Sequence, residues 1–273
     1  VGADYTLTLE GIMPDGKALQ MGTSHQLGQN FSKPFEISFL GKDEKQHFVW
    51  QTSWGVSWRL MGALIMIHGD DKGLILPPKI APIQVVIIPI YYDEGKKNEI
   101  IKVIEKIKEQ LDEKGVRSYV DSSEQHTPGW KFNQWEMKGV PIRVEIGPKD
   151  LDNDSLVVVK RNSRDKKNIA ISDNPADSII KELEVIQEEL FESAKMKHSE
   201  MIFKSDEYNE LCNRLTNDRG FIKSAWCGSR ECEDKIKDET GADVRLIEDE
   251  AISSSCIVCG NDATNSVYFA KSY

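Results

Sequence analysis

The sequence lacks long apolar runs, a leader-like start and any excess of basic residues. No apolar run reaches the length of a bilayer span, and the first residues contain neither a basic segment nor the apolar core of a signal peptide. We therefore predict a soluble, cytoplasmic protein with no membrane contact. With 35 Lys and Arg against 45 Asp and Glu, the formal charge is −10. This charge excludes a generally basic nucleic-acid-binding surface, so any contact with RNA must be local.

Cysteine is also scarce, and its distribution is uneven. Four of the 5 cysteines form two short-spaced pairs near the C-terminus, Cys227-x4-Cys232 and Cys256-x2-Cys259. Two such pairs fit tetrahedral zinc, since each pair can chelate the ion from a turn. Because four thiolates close the coordination shell, we predict a structural Zn²⁺ site and not a catalytic one. Disulfides are the alternative, which a cytosolic location disfavours.

Residues 1–80 have the pattern of an antiparallel sheet. Strand-like segments with alternating polarity (YTLTLEGI, PFEISFL and KQHFVWQTS) are separated by turn sequences such as Pro14-Asp15-Gly16. Three prolines, Pro77, Pro78 and Pro82, cannot continue a helix and indicate a domain boundary near residue 80.

The rest of the chain predicts two α/β domains. After an apolar strand that begins near residue 83, residues 98–114 have helical spacing and end at Gly115. Three further strands complete a mixed sheet, and a long amphipathic helix covers residues 177–197. We thus expect an α+β or α/β multidomain protein with domains at 1–80, 81–198 and 199–273, the last a small α/β unit.

One arginine, Arg59, stands between a polar turn and a nearly uncharged run at residues 60–67. The run predicts a buried helix. An arginine cannot lose its proton, so one on the first turn of such a helix requires a carboxylate or a ligand anion such as phosphate. From residue types alone, a structural salt bridge and a phosphate contact both remain open.

The sequence segments around this arginine resemble motif 3 of class II aminoacyl-tRNA synthetases, and most closely that of prolyl-tRNA synthetases of the archaeal and eukaryotic type. The matching segments are TSWG (52–55), HGDDKGLILPP (68–78), APIQVVIIPI (81–90), QMGTSHQLGQNFSKPF (20–35), GWKFNQWEMKGVPIRVEIGPKD (129–150) and the final KSY. The resemblance covers essentially the whole chain. It implies the C-terminal portion of such an enzyme, from just before motif 3: part of an antiparallel class II catalytic domain, an anticodon-binding domain and a zinc-binding domain.

The resemblance also implies an activity. The family activates L-proline with ATP and Mg²⁺, transfers the prolyl group to tRNA(Pro), and works as a homodimer. Motifs 1 and 2 are not found here, and the chain begins with Val1, so we expect a fragment or processed chain that cannot activate proline alone. The alternative is a non-catalytic RNA-binding or scaffold protein built from the same modules. Threonyl- and histidyl-tRNA synthetases share motif 3 and the anticodon domain but not the zinc tail.

Three residues near residue 20 carry the implied ATP and proline contacts. By resemblance, Gln20 and Thr23 contact ATP, Gln20 also lies near Mg²⁺, and His25 borders the proline pocket. From the residues alone, a histidine with threonine and glutamine beside a glycine is more often a hydrogen-bonded turn, and only the resemblance favours the ligand contacts.

The motif 3 region adds three more candidates. By resemblance, Arg59 lies against the nucleotide. Ser57 offers a nearby hydroxyl, and Trp54 is in position to line a small apolar amino-acid pocket. The alternative for Trp54 is packing.

A second region predicts a confined RNA contact. Residues 130–167 hold nine basic residues against six acidic ones, a local excess on an acidic chain. The segment resembles the anticodon-binding domain of several class II synthetases. The four polar candidates for base recognition are Lys131, Glu136, Lys138 and Arg143. The three aromatic candidates for stacking are Trp130, Phe132 and Trp135. The aromatic residues fit a core equally well. By resemblance, the last residue, Tyr273, turns back toward the catalytic domain.

Overall fold

The computed structural model describes residues 2–91, 95–249 and 253–273. The chain divides into two compact units: Val1–Met66 with Met196–Tyr273, and Ile67–Lys195. The three-domain division expected from the sequence stays a prediction. Among the described residues, no helix combines the length and the apolar character needed to span a membrane.

The first unit begins with the antiparallel sheet that the sequence predicts. Its strands and an adjoining hairpin are β1 (Tyr5–Ile12), β2 (Ala18–Gly28), β3 (Ser38–Leu40), β4 (Gln46–Phe48) and β5 (Gln51–Val56). The sheet order is β1-β2-β5, with all pairs antiparallel, and β3 pairs with β4. The predicted PFEISFL strand is therefore shorter than expected, since only its last three residues pair.

The helix expected after Arg59 is present, but its expected burial is wrong. Helix α1 spans Arg59–His68, and Ala63 is its one buried residue. The side chains of Met61 and Ile65 are about half exposed, at 54% and 49%. Apolar periodicity identifies a helix, whereas burial also requires an element that covers its apolar face.

The second unit is an α/β fold around a mixed sheet, as predicted. Its elements are β6 (Val85–Pro89), α2 (Lys97–Glu113), β7 (Ser118–Val120), α3 (Pro128–Met137), β8 (Ile142–Ile146), α4 (Pro148–Asp152), β9 (Ser155–Lys160), β10 (Lys166–Ala170) and most of α5 (Pro175–Glu200), whose last five residues belong to the first unit. The strand order is β10-β9-β8-β6-β7. Strand β6 is parallel to β7 and β8, whereas β9 is antiparallel to both its neighbours.

Helices cover the two faces of this sheet unequally. On one face, α2 and α5 contribute Ile104 and Ile186 to the main core, where they pack with Ile87. On the other face, α3 packs Trp135 against Val86. Helix α2 ends as predicted, because Gly115 adopts a φ of +73° and its N–H donates to the Asp112 carbonyl over 2.9 Å.

The C-terminal part of the first unit is the small α/β fold expected from the sequence. It contains β11 (Ile202–Lys204), α6 (Tyr208–Asn217), β12 (Phe221–Trp226), α7 (Arg230–Thr240), β13 (Asp243–Glu248) and β14 (Asn265–Ala270). Its sheet has the order β11-β12-β14-β13. Leu211, Ile236 and Phe269 are fully buried in its core.

This C-terminal part packs onto the N-terminal sheet within the same unit. Ile12 and Ala18 share a buried cluster with Phe221 and Ala270. The N–H of Tyr273 donates to the Ala18 carbonyl over 3.4 Å, and the Tyr273 hydroxyl donates to the Asp15 carboxylate over 2.7 Å. The expectation that Tyr273 turns back toward the N-terminal sheet is confirmed.

Candidate functional sites

Strand β2 brings three predicted site residues to one face of the N-terminal sheet. Thr23 pairs with Thr8 of β1, and His25 pairs with Thr6, whose hydroxyl lies 2.8 Å from the His25 Nδ1. Between the pairs Leu9–Gly22 and Glu10–Gln20, strand β2 contains one extra residue, Met21, which makes Gln20 the partner of Glu10. Because this bulge inserts one extra residue, Gln20 joins Thr23 and His25 on the same face despite their odd spacing.

Trp54 lies on the opposite face of that sheet from His25, and its expected place in a small apolar amino-acid pocket stays a prediction. In the β2–β5 pairing, Ser24 is opposite Trp54, whereas His25 is opposite Ser53. Successive side chains of a strand point to opposite faces, so Trp54 and His25 diverge. The Trp54 side chain is 79% exposed. It lines an apolar groove with Leu7 and Leu9.

Arg59 opens helix α1 just after β5, the strand beside β2. Its backbone N–H donates to the Ser57 hydroxyl over 3.3 Å, so Ser57 fixes the start of the helix. Within the described ranges, the exposed guanidinium group of Arg59 has no hydrogen bond or ion pair, and the first turn of α1 contains no acidic residue. The sequence left two interpretations of Arg59 open, a structural salt bridge and a contact with a ligand anion. Among the residues that the structure describes, Arg59 forms no salt bridge.

The C-terminal part of the same unit contacts Glu10, the residue of β1 that pairs with Gln20. Arg245 of β13 donates from two nitrogens to the Glu10 carboxylate over 2.9–3.2 Å. The Glu10 side chain is only 2% exposed, and this pairing compensates its buried charge. Sequence reasoning missed this contact because 235 residues separate its partners.

In the second unit, the sheet and α3 frame a basic pocket. Val86, Arg143, Val159 and Lys166 form one row across β6, β8, β9 and β10. Helix α3 packs on Val86 at the β6 end of this row, and Arg143 and Lys166 lie beside an open cavity of about 160 Å³. The polar lining consists of Glu136, Arg143, Lys160, Arg161, Arg164 and Lys166. This is the local concentration of positive charge that the sequence predicts.

A network of charged groups organises one wall of this basic pocket. Arg161 donates from both terminal nitrogens to the Asp70 carboxylate over 2.6 and 3.0 Å, and from its Nε to the Glu136 carbonyl over 2.8 Å. Arg164 adds a bond of 3.0 Å to Asp70 and an ion pair of 3.3 Å with the Glu136 carboxylate. Hydrogen bonds from Arg161 hold the pKa of Asp70 well below its usual range.

The polar candidates for base recognition differ in accessibility. Lys138 is exposed, with its ammonium group 4.3 Å from the centre of the Trp135 ring. Arg143 pairs with Glu145 over 2.8 Å and lies over the ring of Phe132. Lys131 is only 4% exposed.

Contacts with Asp121 explain why two of the residues predicted from the sequence, Lys131 and Trp135, are buried. The Lys131 ammonium group donates to the Asp121 carbonyl over 2.9 Å, and the Trp135 indole donates to its carboxylate over 2.8 Å. Both side chains therefore support the loop at Asp121 and do not face solvent. Trp130, in contrast, is 47% exposed and stacks on His126 with ring centres 3.6 Å apart.

The four C-terminal cysteines converge on one point. Cys227 follows β12, Cys232 lies on the first turn of α7, and Cys256 and Cys259 belong to one turn whose Gly260 N–H donates to the Cys256 carbonyl. Their sulfur atoms all lie within 4.8 Å of one another. The Sγ of Cys227 is 3.7 Å from that of both Cys232 and Cys259.

This arrangement fits a zinc ion. Four sulfurs at the usual Zn–S distance of about 2.3 Å from a tetrahedral centre are about 3.8 Å apart. All four cysteines are free thiols, so the disulfide alternative does not hold in this structure. Burial raises the pKa of Cys232. At Cys256, burial opposes ionisation, but backbone N–H groups including those of Cys259 and Val258 lower the pKa to about 7.

Comparison with known proteins agrees with these sites. Residues 84–182 match the family model of an anticodon-binding domain, and residues 208–273 match that of the prolyl-tRNA synthetase C-terminal domain. A proline–tRNA ligase of Cenarchaeum symbiosum is 50% identical over 273 residues, which is all of this chain and 57% of that protein. The chain belongs to the proline–tRNA ligase family.

Other members of the family agree in extent and fold. A proline–tRNA ligase of Natranaerobius thermophilus is 47% identical over all of this chain and 56% of its own length. A crystal structure of prolyl-tRNA synthetase from Cryptosporidium parvum, complexed with L-proline and AMP, superposes on this chain with a TM-score of 0.90 at 39% sequence identity. The match covers all of this chain and 59% of the Cryptosporidium parvum chain. The chain thus spans little more than half the length of these proline–tRNA ligases.

Proposed function

We propose that this chain acts as the C-terminal part of a proline–tRNA ligase that forms prolyl-adenylate from ATP and L-proline and transfers the prolyl group to tRNA(Pro). The single observation that carries the catalytic assignment is Arg59: its guanidinium group is exposed, is without a partner among the described residues, and lies next to the sheet that carries Gln20, Thr23 and His25. The L-proline and AMP bound to the similar Cryptosporidium parvum enzyme support this assignment.

The proposed chemistry requires a fixed cation more than a proton-transfer group. The proline carboxylate attacks the α-phosphorus of ATP and pyrophosphate leaves; a ribose hydroxyl of the tRNA then attacks the prolyl carbonyl carbon and AMP leaves. Negative charge grows on the phosphate oxygens in the first step, and Arg59 would stabilise it. Gln20 and Thr23 would position ATP, His25 would border the bound proline, and a Mg²⁺ ion that accompanies ATP would neutralise phosphate charge.

The other two sites have separate roles in this proposal. The basic pocket beside α3, with Glu136, Lys138 and Arg143, would bind the anticodon, and exposed Trp130 would stack on an unpaired base. Lys131 would hold the loop at Asp121 in place. The four cysteines would hold a structural Zn²⁺ that stabilises the C-terminal part of the first unit. Assembly as a homodimer is proposed for the complete enzyme.

The direct test of catalysis is proline-dependent exchange of pyrophosphate into ATP. We expect a full-length enzyme that contains this chain to catalyse exchange with L-proline, and the 273-residue chain alone to show none. Absence of exchange by the full-length enzyme, together with retained binding of tRNA(Pro), would favour the alternative of a non-catalytic RNA-binding protein. Exchange by the isolated chain would contradict its proposed dependence on further residues.

A further inference from the structure

The carboxylate of Asp70 ties the segment after α1 to the turn between β9 and β10. Its two oxygens accept hydrogen bonds of 2.6 and 3.0 Å from the terminal nitrogens of Arg161. One of those oxygens also accepts a bond of 3.0 Å from Arg164. Paired, charge-assisted contacts of this kind define direction as well as distance.

The two arginines occupy different positions in the basic pocket. The Arg161 side chain is 2% exposed, and its Nε and both terminal nitrogens are already engaged. It therefore acts as a buried support. The Arg164 side chain is 52% exposed and lines the cavity. It is the member of the pair that can meet a ligand.

Arg164 needs external contacts to have one orientation. Its backbone φ of +63° lies in the left-handed region, which few non-glycine residues adopt, within the tight turn closed by a 3.1 Å bond from its N–H to the Lys160 carbonyl. A long side chain on such an exposed turn has many rotamers. Two carboxylates, those of Asp70 and Glu136, hold its guanidinium group from two sides.

We infer that Asp70 is a positioning residue for RNA recognition: it fixes the guanidinium group of Arg164 at the basic pocket, so that discrimination among bases depends on a carboxylate that does not itself meet the RNA. The inference rests on the proposed anticodon-binding function. Guanidinium groups recognise guanine edges through two nitrogens in a fixed geometry, so a loose guanidinium retains attraction for phosphate but loses base selectivity.

Positioning and simple electrostatics predict opposite results. If Asp70 contributed only negative charge, its neutralisation would tighten the binding of every RNA. If it positions Arg164, the neutral variant Asp70→Asn loses preference for one base sequence over another. Asp71 is the matched control, because it is exposed, carries the same charge and makes no hydrogen bond or ion pair with the part of the chain that the structure describes.

The experiment measures the affinity of the whole 273-residue chain for two RNA hairpins, one with the proline anticodon and one with its central base changed. We expect Asp70→Asn to lower the ratio of the two affinities by about tenfold, and Asp71→Asn to leave the ratio unchanged. An unchanged ratio in Asp70→Asn, with discrimination intact in the unsubstituted chain, overturns the inference alone. Absence of discrimination in the unsubstituted chain overturns the proposed function.

Arg164→Gln keeps the test decisive if Asp70→Asn does not fold, as circular dichroism would show. Its side chain is largely exposed, so the fold should tolerate the change, and it must lower the affinity ratio as much as Asp70→Asn does. Where both variants fold, the double variant should lose no more discrimination than either single one, because the two residues act as a unit. Additive losses, or full discrimination in Arg164→Gln, contradict the inference.

Discussion

Arg59 shows how one side chain can distinguish a structural from a functional interpretation. The sequence allowed either a salt bridge or a ligand anion, and the described residues offer the guanidinium group no acidic partner. An unpaired cation at the first turn of a helix suits an anion that arrives from outside. Arg59 follows β5 in the chain, and β5 pairs with β2, so the positive charge lies close to the strand that carries Gln20, Thr23 and His25.

Replacement of Arg59 should impair proline activation without loss of stability. In the full-length enzyme, we expect Arg59→Ala to reduce the rate of proline-dependent pyrophosphate exchange by about 10²- to 10³-fold, because removal of one electrostatic contributor costs about 3–4 kcal/mol of transition-state stabilisation. Lys42→Ala, which removes a charge from the exposed turn between β3 and β4, is the control. A near-normal exchange rate in Arg59→Ala would refute the assignment.

Tyr273 gives a pH-dependent prediction. Burial and the hydrogen bond to Asp15 raise the pKa of Tyr273 to about 12. A raised pKa favours the neutral phenol in the folded chain, so its stabilising effect is complete below about pH 10 and is lost as the pH rises through about 12. Ultraviolet absorbance of the phenolate, compared between the unsubstituted chain and Tyr273→Phe, should assign a late-titrating group to Tyr273. Titration of this group near pH 10 would contradict the contact.

Several residue-scale features were beyond sequence reasoning. The bulge at Met21 sets which side chains share a face with Thr23, and a bulge depends on the partner strand β1. The burial of Lys131 depends on Asp121, ten residues earlier. In contrast, the four clustered cysteines were identified from spacing alone, since the local turns largely determine how each pair converges.

At the scale of elements, α3 separates two aromatic residues that the sequence could not rank. Trp135 is 8% exposed and bonded to Asp121, whereas Trp130 is 47% exposed. We expect Trp135→Ala to lower the free energy of unfolding by about 3–5 kcal/mol, the usual cost of a large core truncation.

Trp130→Ala should instead leave stability within about 1 kcal/mol and weaken the binding of an anticodon hairpin by about 1–3 kcal/mol, the usual contribution of one stacked base. Urea denaturation and hairpin affinity measured on both variants check the pair. Equal destabilisation of the two variants would show that Trp130 is also a core residue.

The turn that carries Cys256 should depend on metal. We expect Cys256→Ser to reduce bound zinc from about one ion per chain to well below one and to destabilise the first unit by about 4 kcal/mol or more, since loss of a metal is among the largest single-residue effects. Cys212→Ser on α6, outside the cluster, is the control and should retain zinc. Full zinc content in Cys256→Ser, measured by elemental analysis, would contradict the site.

Local sequence signals predicted most helices and strands, but not which of their apolar faces are covered by other parts of the fold. Helix α2 and its glycine end follow from apolar spacing and from Gly115. Helix α3 was missed, although Thr127 caps it and Pro128 occupies its first turn, a start signal present in the sequence. The exposure of α1 was unpredictable, because burial depends on distant parts of a fold.

At the scale of the whole molecule, the C-terminal part belongs to the same compact unit as the N-terminal sheet. The Arg245–Glu10 pair and the return of Tyr273 to Ala18 both join these distant segments. In the proposed enzyme, the zinc-binding part would therefore support the strand that carries Gln20.

The affinity of the intact chain for tRNA(Pro) is the sharpest test of the proposal that this chain carries the tRNA-recognition part of a proline–tRNA ligase. The comparison is with the same tRNA bearing one changed anticodon base, measured at a fixed salt concentration because phosphate contacts are salt-dependent. We expect the change to weaken binding by about tenfold or more, the usual effect of losing one specific base contact. Equal affinity for the two tRNAs would contradict it.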